Sequence, residues 1–507
     1  MFKNVLIFLV CTLSTIHAKT VYDITEYGAR SGGATLCTEA IQATIDDCHE
    51  AGGGKVIIPA GEWLSLPLTL RSHVHIELMP GAVLKASQEI DDYPSVFGRW
   101  EGIEKEVYAS LFTGHDLTNV SLTGRGTVDG QGEVWWEAHE INKAMRKKAG
   151  ITEREPLNPP GSPLKWPRPR LVNLYNCTNV LIRDLTFIDS PAWTIHPVYC
   201  QDVTVDNIRI IQPYESPNTD GINPESCQNV RISNCFVDCG DDCITIKSGY
   251  NEDGRRVNIP CENIVITNCT FAHGRSAVGI GSETSGGVRN VVVSNCVFKN
   301  TYRGLRIKSA RGRGNVVENI RATNIVMENV GTGISLDMFY GGNDESPRPV
   351  TVGTPHFRNI RYSHITGTNI RLAGEVLGLP EAPMENIVFE DVYLEAQEGL
   401  NVLFAKDFTL RDVDISVPTG AAFKFRKCED VELDNVSSPN PAPDDPVILM
   451  QAVTGARVHD CAAAQGTSLF LQLEGNENSD IKWSDNDMEK AVVPVLGEGL
   501  SGEGVTE

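Results

Sequence analysis

At 507 residues the chain exceeds the roughly 250–300 residues at which single cores usually divide. Its 41% hydrophobic, 22% charged and 7% aromatic make-up is that of a folded chain and excludes disorder. A formal net charge of −22 disfavours binding to phosphate backbones, and no run approaches the ~18 consecutive apolar residues of a membrane helix.

Lys3 precedes an apolar run over residues 5–10, and Ile16-His17-Ala18 places a small residue at a cleavage point. The pattern predicts a secretory signal over residues 1–18, hence a secreted or periplasmic protein; a buried first helix is the alternative. Removal leaves 13 cysteines, an odd number, so at least one thiol is unpaired or intermolecular. Cys37 and Cys48 flank a predicted helix and make one possible pair. That helix, over residues 35–51, carries Ala40, Ile41, Ala43, Ile45 and Cys48 in amphipathic spacing and ends at Gly52-Gly-Gly54. The glycine run superficially matches a phosphate loop, but Val56 after Lys55 makes it a turn.

From Asn119 onward one phrase recurs, Asn or Asp followed by alternating β-formers. It reads Asn119-Val-Ser-Leu, Asn179-Val-Leu-Ile, Asp202-Val-Thr-Val, Asn229-Val-Arg-Ile, Asn263-Ile-Val-Ile, Asn290-Val-Val-Val, Asn319-Ile-Arg-Ala, Asn359-Ile-Arg-Tyr and Asn386-Ile-Val-Phe. From Asn179 the steps are 23, 27, 34, 27, 29, 40 and 27 residues. A period of that size with alternation inside it is the mark of a solenoid of strands, and helical periodicity is absent. The expectation is an all-β, right-handed parallel β-helix with an N-terminal capping helix, because parallel crossovers are right-handed. A single domain would span residues 19–495, with a flexible tail over 496–507. Cysteines at 177, 235, 269 and 296 follow the same register and read as small buried residues. Zinc is the rival reading for Cys227, Cys235, Cys239 and Cys243, although no C-x₂-C pair occurs.

A second set of strands aligns on apolar anchors at Ile222, Ile244, Ile246, Ile280, Leu305, Ile307, Ile334 and Leu336. If these point inward, their neighbours Asn223, Thr245, Lys247, Arg306, Lys308, Ser335 and Asp337 share an outer face. Asp220, Asp241 and Asp242 lead the same strands, about 4.8 Å apart from coil to coil. Three such acids repel one another, which raises at least one pKa and lets an acid and a base coexist near neutrality, as glycosidic cleavage requires. Calcium binding and solvated turn aspartates are the alternatives. Arg303, Arg306, Lys308, Arg311 and Arg313 crowd into 11 residues, a local charge reversal that suits an anionic ligand.

Asn218-Thr-Asp220, Gly240-Asp-Asp242 and Arg306-Ile-Lys308, in that order, resemble the signature of glycoside hydrolase family 28, the polygalacturonases. Asp129-Gly-Gln-Gly132, Trp135-Trp136 and Ser190-Pro-Ala-Trp-Thr-Ile-His196 extend the likeness. Asp220-Gly-Ile-Asn-Pro-Glu225 and Lys247-Ser-Gly249 resemble the bacterial, often exo-acting branch. The resemblance implies inverting hydrolysis at galacturonate residues, with Asp241 as general acid and Asp220 and Asp242 positioning and deprotonating water across roughly 6.5–9.5 Å. It implies that Arg306 and Lys308 bind the sugar carboxylate and that Tyr340 contacts that sugar. Asn218, Lys247, Trp193 and His196 are further candidate substrate contacts. The family's histidine position falls on Arg275, with His273 two residues earlier, so either side chain is a candidate. The implied partner is a galacturonate-containing polysaccharide or oligosaccharide, with no nucleic acid, cofactor, metal or membrane span, and a monomeric state is expected. A rhamnogalacturonan or substituted-galacturonan hydrolase, a calcium-dependent pectate lyase and a non-catalytic carbohydrate-binding β-helix are the competing readings.

Overall fold

A computed structural model describes residues 19–151 and 158–501; the secretory-signal expectation lies outside the described residues. The Asn phrases become one face of a parallel β-helix. Strands Thr178–Arg183, Gln201–Asp206, Gln228–Ser233 and Cys261–Thr267 pair in parallel, each one coil after the last. The register stacks Val180, Val203, Val230, Ile264 and Val291 into one interior file, all buried. Period-2 alternation puts these apolar side chains inside and the polar ones between them outside.

The asparagine opening each phrase has a backbone reason. Asn179, Asn229, Asn263, Asn290, Asn319 and Asn359 all sit at φ between 56° and 60°. Asparagine tolerates this left-handed region better than most residues with a Cβ. The side chains then bond coil to coil: Asn263 Nδ2 donates to Asn229 Oδ1 at 3.1 Å, Asn290 to Asn263 at 3.1 Å and Asn319 to Asn290 at 3.2 Å. One residue type thus supplies both the bend and the ladder that repeats it.

All 13 cysteines among the described residues are buried free thiols, so the expected Cys37–Cys48 pair is not formed. Cys235 and Cys296 flank Cys269 inside the coil, where thiols act as small apolar fillers. The four cysteines of the zinc reading do not gather around a point: Cys239 and Cys243 approach to 3.8 Å, while Cys227 bonds the Pro197 carbonyl and Cys235 that of Ser233.

The capping helix, α1, runs Thr38–Glu50 and buries Ile41, Thr44, Ile45 and Cys48. Two insertions were not foreseen. A 17-residue helix, α2 (Glu133–Ala149), leaves the coil despite the β pattern around it. Its buried positions are Trp135, Ala138, Asn142 and Arg146, at helical spacing but half of them polar, so the apolar stripe is too weak to read. The second insertion is an antiparallel hairpin of Ser95–Trp100 and Ile103–Tyr108. At the far end, Leu500 pairs with Ile481, so the ladder continues past the 495 boundary into the stretch expected to be a flexible tail.

Asn290→Ala should cost about 2 kcal/mol in urea unfolding, from left-handed strain plus lost ladder bonds. Asn290→Gly should cost roughly half as much, since glycine removes only the bonds.

Candidate active site

The second file of strands places the chemistry. Ile195, Ile222, Ile244, Val278, Leu305 and Ile334 stand one above another and face inward. The next residue of each coil therefore faces out, giving the column His196, Asn223, Thr245, Gly279, Arg306, Ser335. Two residues further along stands a second column, Glu225, Lys247, Gly281, Lys308, Asp337. The coil at Val278–Gly281 contributes only glycines to these columns. That leaves a trough between the coils carrying acids and the coil carrying Arg306 and Lys308.

Asp220, Asp241 and Asp242 line the trough with carboxylate oxygens within 4.8 Å of one another. Their backbone turns are packed tightly: a Cβ on Gly240 would lie 2.2 Å from the Ser216 carbonyl, so glycine is required before the Asp241-Asp242 pair. Asp220, 3% exposed, accepts from Asn223 Nδ2 at 2.9 Å. Burial pushes its pKa well up, and the charges of Asp241 and Asp242 add to that. Burial and Asp242 also raise Asp241. Asp242 goes the other way. Burial alone would raise it, but Lys308 and Arg306 outweigh burial and hold it below the usual carboxylate range. Lys308 Nζ donates to Asp242 Oδ2 at 2.8 Å, while Asp242 Oδ1 is buried with no hydrogen-bond partner. The trio thus sets two carboxyls with raised proton affinity beside one whose affinity is lowered.

The basic run separates by position. Arg306 and Lys308 face the trough, with Tyr340 5.4 and 5.5 Å from them and half-exposed above. Arg306 Nε has no hydrogen-bond partner. Arg311 is instead locked onto Glu381 at 2.6 Å, Arg303 faces Glu375 at 3.8 Å, and Arg313 donates to the Ser282 carbonyl and Asn251. The run as a whole is therefore not one ligand grip, because consecutive coil positions point in different directions.

The histidine question has a geometric answer. His273 Nδ1 bonds Asp238 Oδ1 at 2.9 Å and faces Tyr214, while Arg275 Nε lies 3.6 Å from Asp241 Oδ2. Trp193 and His196 lie beneath the trough rather than lining it, at 4% and 0% exposed. Trp193 stacks on Trp100 at 4.7 Å, and His196 bonds Glu225 at 3.0 Å. Asn218 accepts from the buried Arg168 at 2.6 Å. Lys247 pairs with Glu283 at 3.2 Å and lies over Trp193.

Three residues escaped sequence reasoning: Glu225, Glu283 and Arg99, all buried. Arg99, on the hairpin, reaches Glu225 Oε1 at 3.2 Å and Ser226 Oγ at 3.1 Å, and so pins the hairpin to the coils. The available signal was a charge inside an apolar rung, which burial makes costly unless it is paired. The hairpin, α2 and the segment before Arg168 enclose a cavity of about 950 Å³. Asp241 and Arg275 stand at its mouth, with Trp100, Tyr214 and Lys143 among its walls.

Glycosyl hydrolases family 28 matches residues 48–402. A probable polygalacturonase of Vitis vinifera is 34% identical over 382 residues, spanning 73% of each chain. A hyperthermoactive exopolygalacturonase from Thermotoga maritima is similar in structure, with a TM-score of 0.68 and 30% identity over 82% of this chain and 91% of that one. The polygalacturonase of Erwinia carotovora ssp. carotovora gives 0.59 at 27% identity, over 74% and 94%.

Because burial raises the pKa of Asp220 above its unfolded value, the group lowers stability as pH rises above about 3.9 towards its shifted pKa. Asp220→Asn should therefore raise the melting temperature at pH 7–8, and the gain should vanish by about pH 4. Calorimetry across that range reads both limits.

Proposed function

Because the chain belongs to glycosyl hydrolases family 28, we propose that it hydrolyses glycosidic bonds at galacturonate residues of a pectic chain. The observation that carries this reading is one trough that gathers three carboxyls, Asp242 paired to Lys308 among them, beside the cations Arg306 and Lys308, with burial raising Asp241 and the cations lowering Asp242. Asp241 gives its proton to the glycosidic oxygen as the bond to the anomeric carbon breaks. Asp220 and Asp242 position the attacking water and accept its proton. Arg306, whose Nε is unpartnered, and Lys308 hold the carboxylate of the sugar at the scissile bond. Tyr340 covers that sugar. Displacement by water in one step inverts the anomeric centre.

Cleavage proceeds from a chain end. The support is the likeness to the Thermotoga maritima exopolygalacturonase, together with a cavity beside Asp241 that residues of the hairpin and α2 line. Action outside the cytoplasm is supported by the charged, apolar and small-residue pattern of residues 1–18.

Asp241→Asn should fold and lose about 10²–10⁴ of the turnover measured by reducing-sugar release. Product analysis on homogalacturonan and rhamnogalacturonan should give single units of inverted configuration by NMR, without calcium. Full turnover in Asp241→Asn, or calcium-dependent unsaturated products, would overturn the assignment.

A further inference from the structure

Arg275 occupies an unusual position. It is 69% exposed, yet its Nε lies 3.6 Å from a carboxylate oxygen of Asp241, which is itself largely covered. The backbone brings it there. Arg275 N–H donates to the Asp241 carbonyl at 2.8 Å. The preceding Gly274 takes φ 152°, and a Cβ there would meet that same carbonyl at 2.7 Å and the Cys243 sulfur at 2.7 Å. Only glycine lets the strand turn this closely over the acid. The same turn directs His273 away, onto Asp238.

We propose that Arg275 is a positioning residue whose fixed positive charge sets the proton affinity of Asp241, in a place where a titrating side chain would make that affinity depend on pH. The inference rests on the assignment of Asp241 as the acid. The charges facing Asp241 explain the need. Asp242 and Asp220 oppose its ionisation, as does its burial, while Lys308, Lys247, Arg168 and Arg275 favour it. Lys308 and Lys247 are already engaged by Asp242 and Glu283, and Arg168 by Asn218 and two carbonyls. Among the described residues Arg275 forms no other ion pair, and an arginine keeps its charge across the working pH range, whereas a histidine loses its own near pH 6.5. An acid driven too high protonates a leaving oxygen poorly, so a constant counter-charge keeps Asp241 near the operating range.

Two measurements on the full chain test this. The first is ¹³C NMR titration of aspartate carboxyls, with Asp241 identified by the signal missing in Asp241→Asn. The Asp241 midpoint should rise by about half a pH unit in Arg275→Ala at low salt, because the pair is exposed and screened. It should return in Arg275→Lys, and the difference should shrink in 1 M salt. The second is the pH profile of turnover. The basic limb should move up in Arg275→Ala, with kcat lowered more than KM is raised. An unmoved Asp241 midpoint, or a raised KM with the basic limb in place, would make Arg275 a plain substrate contact and overturn the proposal. The NMR measurement needs no turnover. An enzyme inactive on every galacturonan would therefore sink the functional reading while this inference was still judged on its own.

Discussion

Every feature of this protein depends on parallel stacking without slippage. Each coil lays its backbone about 4.8 Å above the last, so a residue's neighbours in space are its equivalents one coil away rather than its neighbours in sequence. A slip of one residue in any coil would turn its apolar file outward. The asparagine ladders guard against that, because the left-handed bends recur at fixed positions of each coil and the leading amide bonds to the same position in the next. The side chains of the trough inherit this precision. Asp242 and Lys308 are 66 residues apart and meet at 2.8 Å because the coils between them keep register.

The second constraint is electrostatic. Three carboxyls within 4.8 Å cannot all ionise cheaply in a largely buried trough, and placing cations on one side decides which ionises. Lys308 and Arg306 approach Asp242 and favour negative charge there, while burial raises the proton affinity of Asp220 and Asp241. Beneath, Glu225 is held ionised, with a pKa lowered to about 2: burial opposes ionisation, and Arg99 and His196 overcome it. His196 stays neutral, its pKa brought down to about 4 chiefly by burial. Arg99 ties that layer to the hairpin. The layer fixes the hairpin and the Trp100–Trp193 stack that wall the cavity.

The repeat made the coils, the inward anchors and the three acidic positions legible from sequence, because alternation and spacing are properties of the chain itself. Asp220, Asp241, Asp242, Arg306 and Lys308 all reach the trough that their phrases predicted. The signal weakened where the chain leaves the coil. α2 hides half of its stripe in Asn142 and Arg146, and the hairpin carries no repeat at all. Trp193 and His196 looked like surface contacts because their column faces outward; what buries them is a hairpin some 100 residues earlier in the chain.

What the sequence determined alone is therefore whatever repeats: a parallel β-helix, its capping helix, and an outer face on which acids and bases gather. Tertiary structure decided whatever depends on direction. It set Arg275 rather than His273 beside Asp241, split the basic run between trough and scaffold, left the thiols unpaired and laid the hairpin and α2 around a cavity next to Asp241. Periodicity records which coil a residue belongs to and which side of the strand it takes. The aim of a side chain at a turn, and what a distant insertion lays over it, are settled only when the coils are stacked.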